Sequence, residues 1–457
     1  MNLLNYDNFY LVGIKGVAMT SMAQLLIDAG KHIAGSDVEE NFVTQEILEK
    51  LNVKIDTDFK INLPKKTDCV IYTAAHQANE NPQVRAAVAQ NVPVISQAEA
   101  VAQLFNQQRG IAVCGVGGKS TVSAMITWIL QEQGLKPSFS IGVGNIPGLN
   151  KTGQWSPQAR YFVIEADEYV INPQQETKAI PRFTFLKPYL TICTNLKFDH
   201  PDVYRDFEHT QQVFNKFFAQ AEKLIINDQD KNLVKQPCLT FGETPEADLY
   251  LKSYRSLAGK TISQFVYQDQ TYNLILQIPG KFNVLNALAA ILAVAQIDID
   301  PQQAVDTLSG FQSTKRRFEF IGEKNGVKYY DDYAHHPHEI KAVIAALKDW
   351  CPDQKKIIAF QSHTYSRTKK LFNEFIDAFK DVDQVLMIDI FSSAREKVDL
   401  SVSSTKLCEA IVSKHNLPAH NLESIQNLAK YCRKQLKRGN VLITVGAGDI
   451  YQVHELI

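Results

Sequence analysis

The sequence predicts an α/β protein made of three parallel-sheet domains. Short apolar runs alternate with amphipathic stretches along nearly the whole chain, and glycine-rich or polar turns follow several of those runs. The 457 residues suit about three units of roughly 100–200 residues each.

The first unit covers residues 1–107. Residues 9–14 read as a buried strand, 18–29 as a helix ended by Gly30, and 31–35 and 69–73 as further strands. The second unit, 108–312, opens with a strand over 111–114 that runs into a glycine loop and a long helix. Strands follow over 161–164 and 190–194, residues 237–278 alternate like antiparallel strands, and 283–295 is a strongly apolar helix. The third unit, 313–457, repeats a strand–helix rhythm. Its strand 328–331 precedes helix 337–347, strand 356–360 precedes helix 369–379, and strands 384–388 and 441–445 follow.

Bulk properties exclude several function classes. Apolar residues are 45% and charged residues 21%, the balance of a chain that buries full cores without staples. With 48 basic and 49 acidic residues and no basic run, nucleic acid is not an expected partner. The 7 cysteines are odd in number and lack CxxC spacing, which points to reduced thiols in a reducing compartment. The first residues lack a cationic start with a long apolar stretch, and the longest apolar run, 287–295, is far short of a membrane span. A cytoplasmic protein without membrane insertion is expected, as a monomer or homodimer.

The strongest chemical signal is Gly115-Val116-Gly117-Gly118-Lys119-Ser120-Thr121, between an apolar strand and a helix. Glycines let the backbone curl closely and aim N–H groups at phosphate oxygens. Lys119 adds charge for the outer phosphates, and Ser120 or Thr121 offers a hydroxyl to Mg²⁺. The alternative is a glycine turn with a solvated lysine, which the strand before and helix after disfavour.

Two further strand ends carry ligand-type residues. The run Tyr161–Ile164 leads into Glu165-Ala166-Asp167-Glu168, carboxylates placed where nucleotides bind in such sheets. The second reads Thr194-Asn195-Leu196-Lys197-Phe198-Asp199-His200-Pro201-Asp202. There His200 is a metal candidate, with Asp199 or Asp202 to orient its other nitrogen. A histidine beside a proline is more often a packing residue, so this reading leans on the phosphate loop.

Weaker signals lie elsewhere. Gly13-Ile14-Lys15-Gly16-Val17-Ala18-Met19, with Asp37 ending the next strand, offers a helix N-terminus to a diphosphate, although GxGxxG spacing is absent. Asn283 and Asn286 share a helix face and could read a base edge, and plain capping by Asn283 is the bland alternative. The cluster Lys315-Arg316-Arg317 could clamp a phosphoryl group or simply be solvated. Asp331-Asp332-Tyr333-Ala334-His335-His336-Pro337 and Gln361-Ser362-His363-Thr364-Tyr365-Ser366-Arg367 are two histidine-bearing loops on one sheet edge, suggesting a substrate pocket.

In this order, these segments resemble the Mur ligase family over essentially the whole chain, from Gly13 to the 445–450 segment. The resemblance implies a Rossmann-like N-terminal domain for a UDP-sugar, a P-loop ATPase central domain with a mixed sheet, and a Rossmann-like C-terminal domain for an amino acid. The segments LVGIKGVAM, Gly35-Ser36-Asp37, DDYAHHP, FQSHTYSRT and DIFSSARE look most like the branch that adds L-alanine to UDP-N-acetylmuramate in peptidoglycan precursor synthesis. The related ligases that attach a recycled murein tripeptide differ where QSHTYSRT stands, and rank second.

The family's roles then fall on named positions. Gly115 to Thr121 would bind ATP phosphates, with Asn283 and Asn286 at the adenine and Asp332 also in the ATP site. Ser120 or Thr121, Glu165 and His200 would hold Mg²⁺, and Arg317 would reach the γ-phosphate. Tyr333, His335 and Arg367 would line the amino-acid pocket, with Arg367 gripping the incoming carboxylate. Gly13, Gly16, Ser36 and Asp37 would meet the UDP part. The sequence departs from the family in two places: the common THGK reads Val116-Gly117-Gly118-Lys119, and Thr364 stands where some members carry arginine. The stretch 169–188 is locally unusual.

The implied reaction moves the ATP γ-phosphoryl to the lactyl carboxylate, making an acyl phosphate that the amine of L-alanine attacks. Lys119, Arg317 and Mg²⁺ would neutralise the moving phosphoryl. His335, of a residue type with an unperturbed pKa of about 6.5, would orient or deprotonate the amine. Closure would exclude water from the acyl phosphate. Two competing classes are an NAD-binding dehydrogenase, suggested by Gly13 to Asp37, and an inactive nucleotide-binding module, suggested by Gly117.

Overall fold

A computed structural model describes residues 2–40, 42–59, 63–170, 180–199, 203–257, 259–391 and 398–457. Among these residues lie three sheets, of 5, 10 and 6 strands, interleaved with helices in an α/β arrangement. By contact density the chain divides into two compact units. One holds Met1–Ser253, Ser263–Leu274 and Leu285–Thr314, and the other Tyr254–Ile262, Ile275–Val284 and Lys315–Ile457.

The first sheet runs in the order Lys54–Asp56, His32–Ser36, Asn8–Val12, Cys69–Tyr72, Val94–Ser96, every pair parallel. Phe9 and Leu11 enter one core while Tyr10 and Val12 enter another, as the two-residue period of a strand requires. Burial on both faces explains why this strand is a continuous apolar run. Helices Val17–Asp28, Pro82–Ala89 and Gln97–Phe105 complete the layer. Ser96 and Glu99 form a reciprocal capping box at the start of the last of these.

The ten-stranded sheet centres on Arg109–Cys114. On one side lie Tyr161–Glu165, Ser138–Ser140 and the short antiparallel Gly153–Gln154. On the other lie Leu190–Cys193, Lys223–Asn227, Leu239–Gly242 and Leu249–Leu257, all parallel, and Lys260–Tyr267 and Gln270–Leu276 complete it. The alternation over 237–278 therefore misleads in part, because Leu239–Gly242 and the start of Leu249–Leu257 extend the parallel sheet. A solvated face gives the same alternating pattern in either direction, so period alone does not fix strand direction.

The six-stranded sheet runs Glu319–Lys324, Val327–Asp332, Asn440–Val445, Lys355–Phe360, Gln384–Met387, Ala419–Asn421. Its first pair is antiparallel and the rest are parallel. Ile340, Val343, Ile344 and Leu347 of helix Pro337–Trp350 pack on one face. The single helix expected over 369–379 is two, Tyr365–Lys370 and Phe372–Ala378, because Leu371 leaves helical geometry at φ −108° and ψ 24°. Among the described residues no helix is long and apolar enough to cross a membrane, and the seven cysteines are free.

Candidate active site

Three turns meet where the central sheet reverses its strand order. Arg109–Cys114 pairs in register with Tyr161–Glu165 on one side and Leu190–Cys193 on the other, Val113 lying opposite Glu165 and Cys114 opposite Cys193. The carboxyl ends therefore deliver the glycine loop, Glu165–Glu168 and Thr194–Asn195 to one place, the crevice where open parallel sheets bind ligands.

The loop has the conformation its glycines suggest. Gly115 has φ +113° and Gly118, which precedes helix Lys119–Glu132, has φ +84°. At Gly115 a Cβ would stand 2.7 Å from the Asn195 carbonyl oxygen, and at Gly118 it would overlap the Asn286 amide. Both positions thus need glycine for conformation and for space. Asn195 clamps the loop from both sides: its Oδ1 accepts from the Val116 N–H at 3.0 Å, and its Nδ2 donates to the Gly117 carbonyl at 3.2 Å. The Thr194 hydroxyl donates to that same carbonyl at 2.5 Å. The sequence marks Thr194 and Asn195 only as a strand end, and their grip on the loop emerges from the strand register.

Lys119 is enclosed. Its Nζ donates to the Gly115 carbonyl at 2.7 Å and lies 3.5 Å from Glu168 Oε2, with side-chain exposures of 11% and 1% for the two residues. Burial pulls the ammonium down, but the carboxylates of Glu168, Asp167, Glu165 and Asp199 outweigh it and hold the pKa above the ordinary lysine value. The cation stays charged. The sequence groups Glu168 with the carboxylates at the nucleotide-binding strand end without a role of its own, and the structure makes it the buried partner of the loop lysine.

Glu165 Oε1 accepts from the Ser120 hydroxyl at 3.0 Å, and Oε2 accepts from the Gly142 N–H at 3.0 Å. Ser120 and Thr121 are buried at the first turn of the helix. A carboxylate and a hydroxyl beside a phosphate loop are the hard oxygen donors that Mg²⁺ takes. His200 lies outside the described residues, as do Pro201 and Asp202. Among the described residues no cluster of three or more His, Cys, Asp or Glu could hold a metal by itself. Asn286 is placed against Gly118, whereas the Asn283 amide donates to the Pro279 carbonyl at 2.7 Å. The helix starts at Lys281, two residues earlier than expected, so Asn283 is not its cap.

In the N-terminal domain Gly13 has φ +84°, and Gly16 precedes helix Val17–Asp28. Ser36 and Asp37 are buried and used internally. The Ser36 hydroxyl donates to Gln83 Oε1 at 2.5 Å. Asp37 accepts from the Lys15 N–H at 2.7 Å and from its neighbour Val38 at 2.8 Å. The Lys15 ammonium is spent on the carbonyls of Val38, Glu39 and Glu40.

In the C-terminal unit, two adjacent cations have different fates. Arg316 is buried, donating from Nε to Asp331 Oδ2 at 2.9 Å and from its terminal nitrogens to the carbonyls of Gly446 and Gly448 at 2.6 and 3.2 Å. It is a structural tie between strand ends. Arg317 sits 5.5 Å from the Tyr333 ring centroid. Asp332 is buried and accepts from the N–H groups of Phe318 and Ala334 at 2.8 and 2.7 Å. Burial pushes its carboxyl up to about 6, against the pull of Arg317 and those two amides.

The two histidines divide similarly. His336 caps helix Pro337–Trp350, in reciprocal bonds with Glu339. His335 Nδ1 lies 3.0 Å from the Tyr333 carbonyl and 3.7 Å from Glu339, and its ring meets those of Tyr333 and His363 edge-on at 5.4 and 6.4 Å. Burial raises the Glu339 carboxyl, but His335, Arg317 and two backbone N–H groups bring it below its ordinary value. Thr364 caps the short helix bearing Arg367 at φ +73°, a strained conformation for a β-branched residue. Among the described residues the Arg367 guanidinium makes no hydrogen bond or ion pair. Only part of the DIFSSARE segment, and of 169–188, is described, residues 392–397 and 171–179 lying outside.

Comparison with known proteins gives matches along the whole chain. Residues 8–109 match the model described as "Mur ligase family, catalytic domain", 113–294 the "Mur ligase middle domain" and 316–448 the "Mur ligase, glutamate ligase domain". A UDP-N-acetylmuramate–L-alanine ligase of Desulfitobacterium hafniense is 33% identical over 455 residues, 98% of each chain. One of Clostridium kluyveri is 35% identical over 466 residues, 98% of this chain and 97% of the other. The crystal structure of a UDP-N-acetylmuramate–alanine ligase from Thermotoga maritima superposes with a TM-score of 0.83 at 23% identity, covering 98% and 97%, a likeness of fold.

Proposed function

The chain belongs to the Mur ligase family, and from that premise we propose that it joins L-alanine to the lactyl carboxylate of UDP-N-acetylmuramate at the expense of ATP. The observation that carries this is the enclosed loop lysine. Lys119 is held charged and inward by four acidic residues at the head of a glycine loop, beside Ser120 and Glu165. That arrangement suits phosphoryl transfer, where catalysis is positioning plus neutralisation of oxygen charge. The full-length relatives at 33–35% identity supply the acceptor.

The domains are assigned as 1–107, 108–312 and 313–457. The glycine loop 115–118 and Lys119 orient the triphosphate, and Asn195, which holds the Val116 N–H and the Gly117 carbonyl, fixes the loop so that little rearrangement accompanies the reaction. Ser120, Thr121 and Glu165, with His200 from outside the described residues, are assigned to Mg²⁺. When bound, that ion supplies charge neutralisation at the phosphate oxygens. Arg317 and His335 are the C-terminal unit's candidates for acting on reacting groups. His335 can take a proton from the incoming alanine ammonium and so free the amine lone pair for attack, with Glu339 beside it to stabilise the imidazolium. Arg367 offers a planar fork to the alanine carboxylate.

The test is phosphate release from ATP with UDP-N-acetylmuramate and Mg²⁺, with L-alanine or with the murein tripeptide as acceptor. Release dependent on L-alanine is expected. Release only with the tripeptide would replace the acceptor, and ATP binding with no release under any combination would overturn the ligase reading.

A further inference from the structure

The N-terminal sheet reverses its order between Asn8–Val12 and Cys69–Tyr72, and open parallel sheets bind ligands outside the strand ends at such a point. The turn after Asn8–Val12 is Gly13–Gly16. The turn after Cys69–Tyr72 contains His76, Gln77 and Ala78, all left-handed at φ +52°, +69° and +49°. Three consecutive non-glycine residues in this region cost roughly 1–2 kcal/mol each. The surrounding structure holds them there. The Asn81 amide donates to the His76 carbonyl at 3.1 Å while its oxygen caps helix Pro82–Ala89 through the Gln83 N–H at 2.9 Å.

The result of that strain is the placement of one side chain. The His76 ring packs against Phe59, centroids 4.7 Å apart at 36°. Its Nε2 lies 3.3 Å from Asp37 Oδ1. Its Cδ2 comes within 3.4 Å of where a Gly13 Cβ would stand. The ring therefore sits over the switch point, beside the turn that leads to the first N–H groups of helix Val17–Asp28. Nε2 thus faces the Asp37 carboxylate, and Nδ1 is the other polar edge of the ring. Among the described residues Nδ1 has no hydrogen-bond partner, and the side chain is 26% exposed. Lys15, the other cation of this turn, is committed to three carbonyls.

We infer that His76, fixed by Asp37 and Phe59, is a binding residue for the diphosphate of the nucleotide sugar. This rests on the proposed function for the substrate's identity. An anion arriving at the helix N-terminus meets the Nδ1 edge of the imidazole, a polar edge aimed by the Asp37 carboxylate at Nε2 and by the Phe59 ring. Asp37 acts as a positioning residue beneath it.

The test is calorimetric binding of UDP-N-acetylmuramate, and of UDP alone, to the full chain and to two variants. His76→Phe keeps an aromatic ring against Phe59 and removes the nitrogens. His76→Asn keeps polarity without the ring. Both are expected to weaken each ligand about tenfold, with KM for ATP and the melting temperature within error of the parent. Unchanged affinity in a folded His76→Phe chain would overturn the inference and make the ring a packing element. Should either variant not fold, the other carries the test. If the parent binds neither ligand, the proposed substrate is wrong, a result distinct from failure of His76.

Discussion

The phosphate loop and the His76 turn solve the same geometric problem with different residues. Each lies at the carboxyl end of a parallel strand where sheet order reverses, and each needs left-handed backbone. The phosphate loop uses Gly115 and Gly118, which adopt such angles at little cost, and buries a lysine against Glu168. The His76 turn forces three side-chain-bearing residues into the same region and ties its carboxylate, Asp37, to two backbone amides and an imidazole. Where the ligand must be met by bare N–H groups, glycine serves. Where a side chain must be aimed, the backbone bears strain so that the side chain can be placed.

Breaking the buried pair should give the largest change in stability. Glu168→Gln leaves Lys119 with the Gly115 carbonyl but without its nearest charge partner, and should lower unfolding free energy by about 3 kcal/mol in urea titration. A loss below about 1 kcal/mol would mean that Asp167, Glu165 and Asp199 suffice to hold the cation. Gly118→Ala should cost about 1–2 kcal/mol for its backbone angle, plus the displacement of Asn286. In a double-mutant cycle, Asn286→Ala should recover the displacement and leave the backbone strain. The smallest effect is expected in the other turn, with opposite sign. Gln77→Gly should be neutral or stabilising by up to about 1 kcal/mol, since relief at φ +69° is partly offset by the freer unfolded chain. A clear destabilisation there would erase the contrast between the two turns.

That contrast also explains what was legible in the sequence. GGKST between a strand and a helix announces itself, because glycine and lysine spacing encode the cradle directly. Glu165 and Asn286 were found as ligand-type residues and lie at that loop. His76 was not found, since nothing in the run Thr73-Ala74-Ala75-His76 signals left-handed backbone, and its meaning depends on Asp37, Phe59 and Gly13 arriving from three other segments. Asn195 was quoted but not understood, because its bonds depend on the register of Cys193 against Cys114. Local pattern also could not separate Arg316 from Arg317 or His335 from His336. Arg316 is a tie to Asp331, Gly446 and Gly448, strand ends far apart in the chain, and His336 is a helix cap, whereas Arg317 lies against the Tyr333 ring and His335 beside the Tyr333 carbonyl. The parallel direction of Leu239–Gly242 was hidden for the same reason.

The central claim is that Lys119 at the head of the glycine loop grips the triphosphate whose terminal group activates the carboxylate. It is tested most directly by phosphate release with ATP, UDP-N-acetylmuramate and L-alanine all present, comparing the parent with Lys119→Ala checked to be folded. A loss of at least about 10³-fold in kcat, beyond the roughly 10²–10³-fold typical of removing one electrostatic stabiliser, is the expected result. A folded Lys119→Ala chain that releases phosphate at the parent rate would contradict the account.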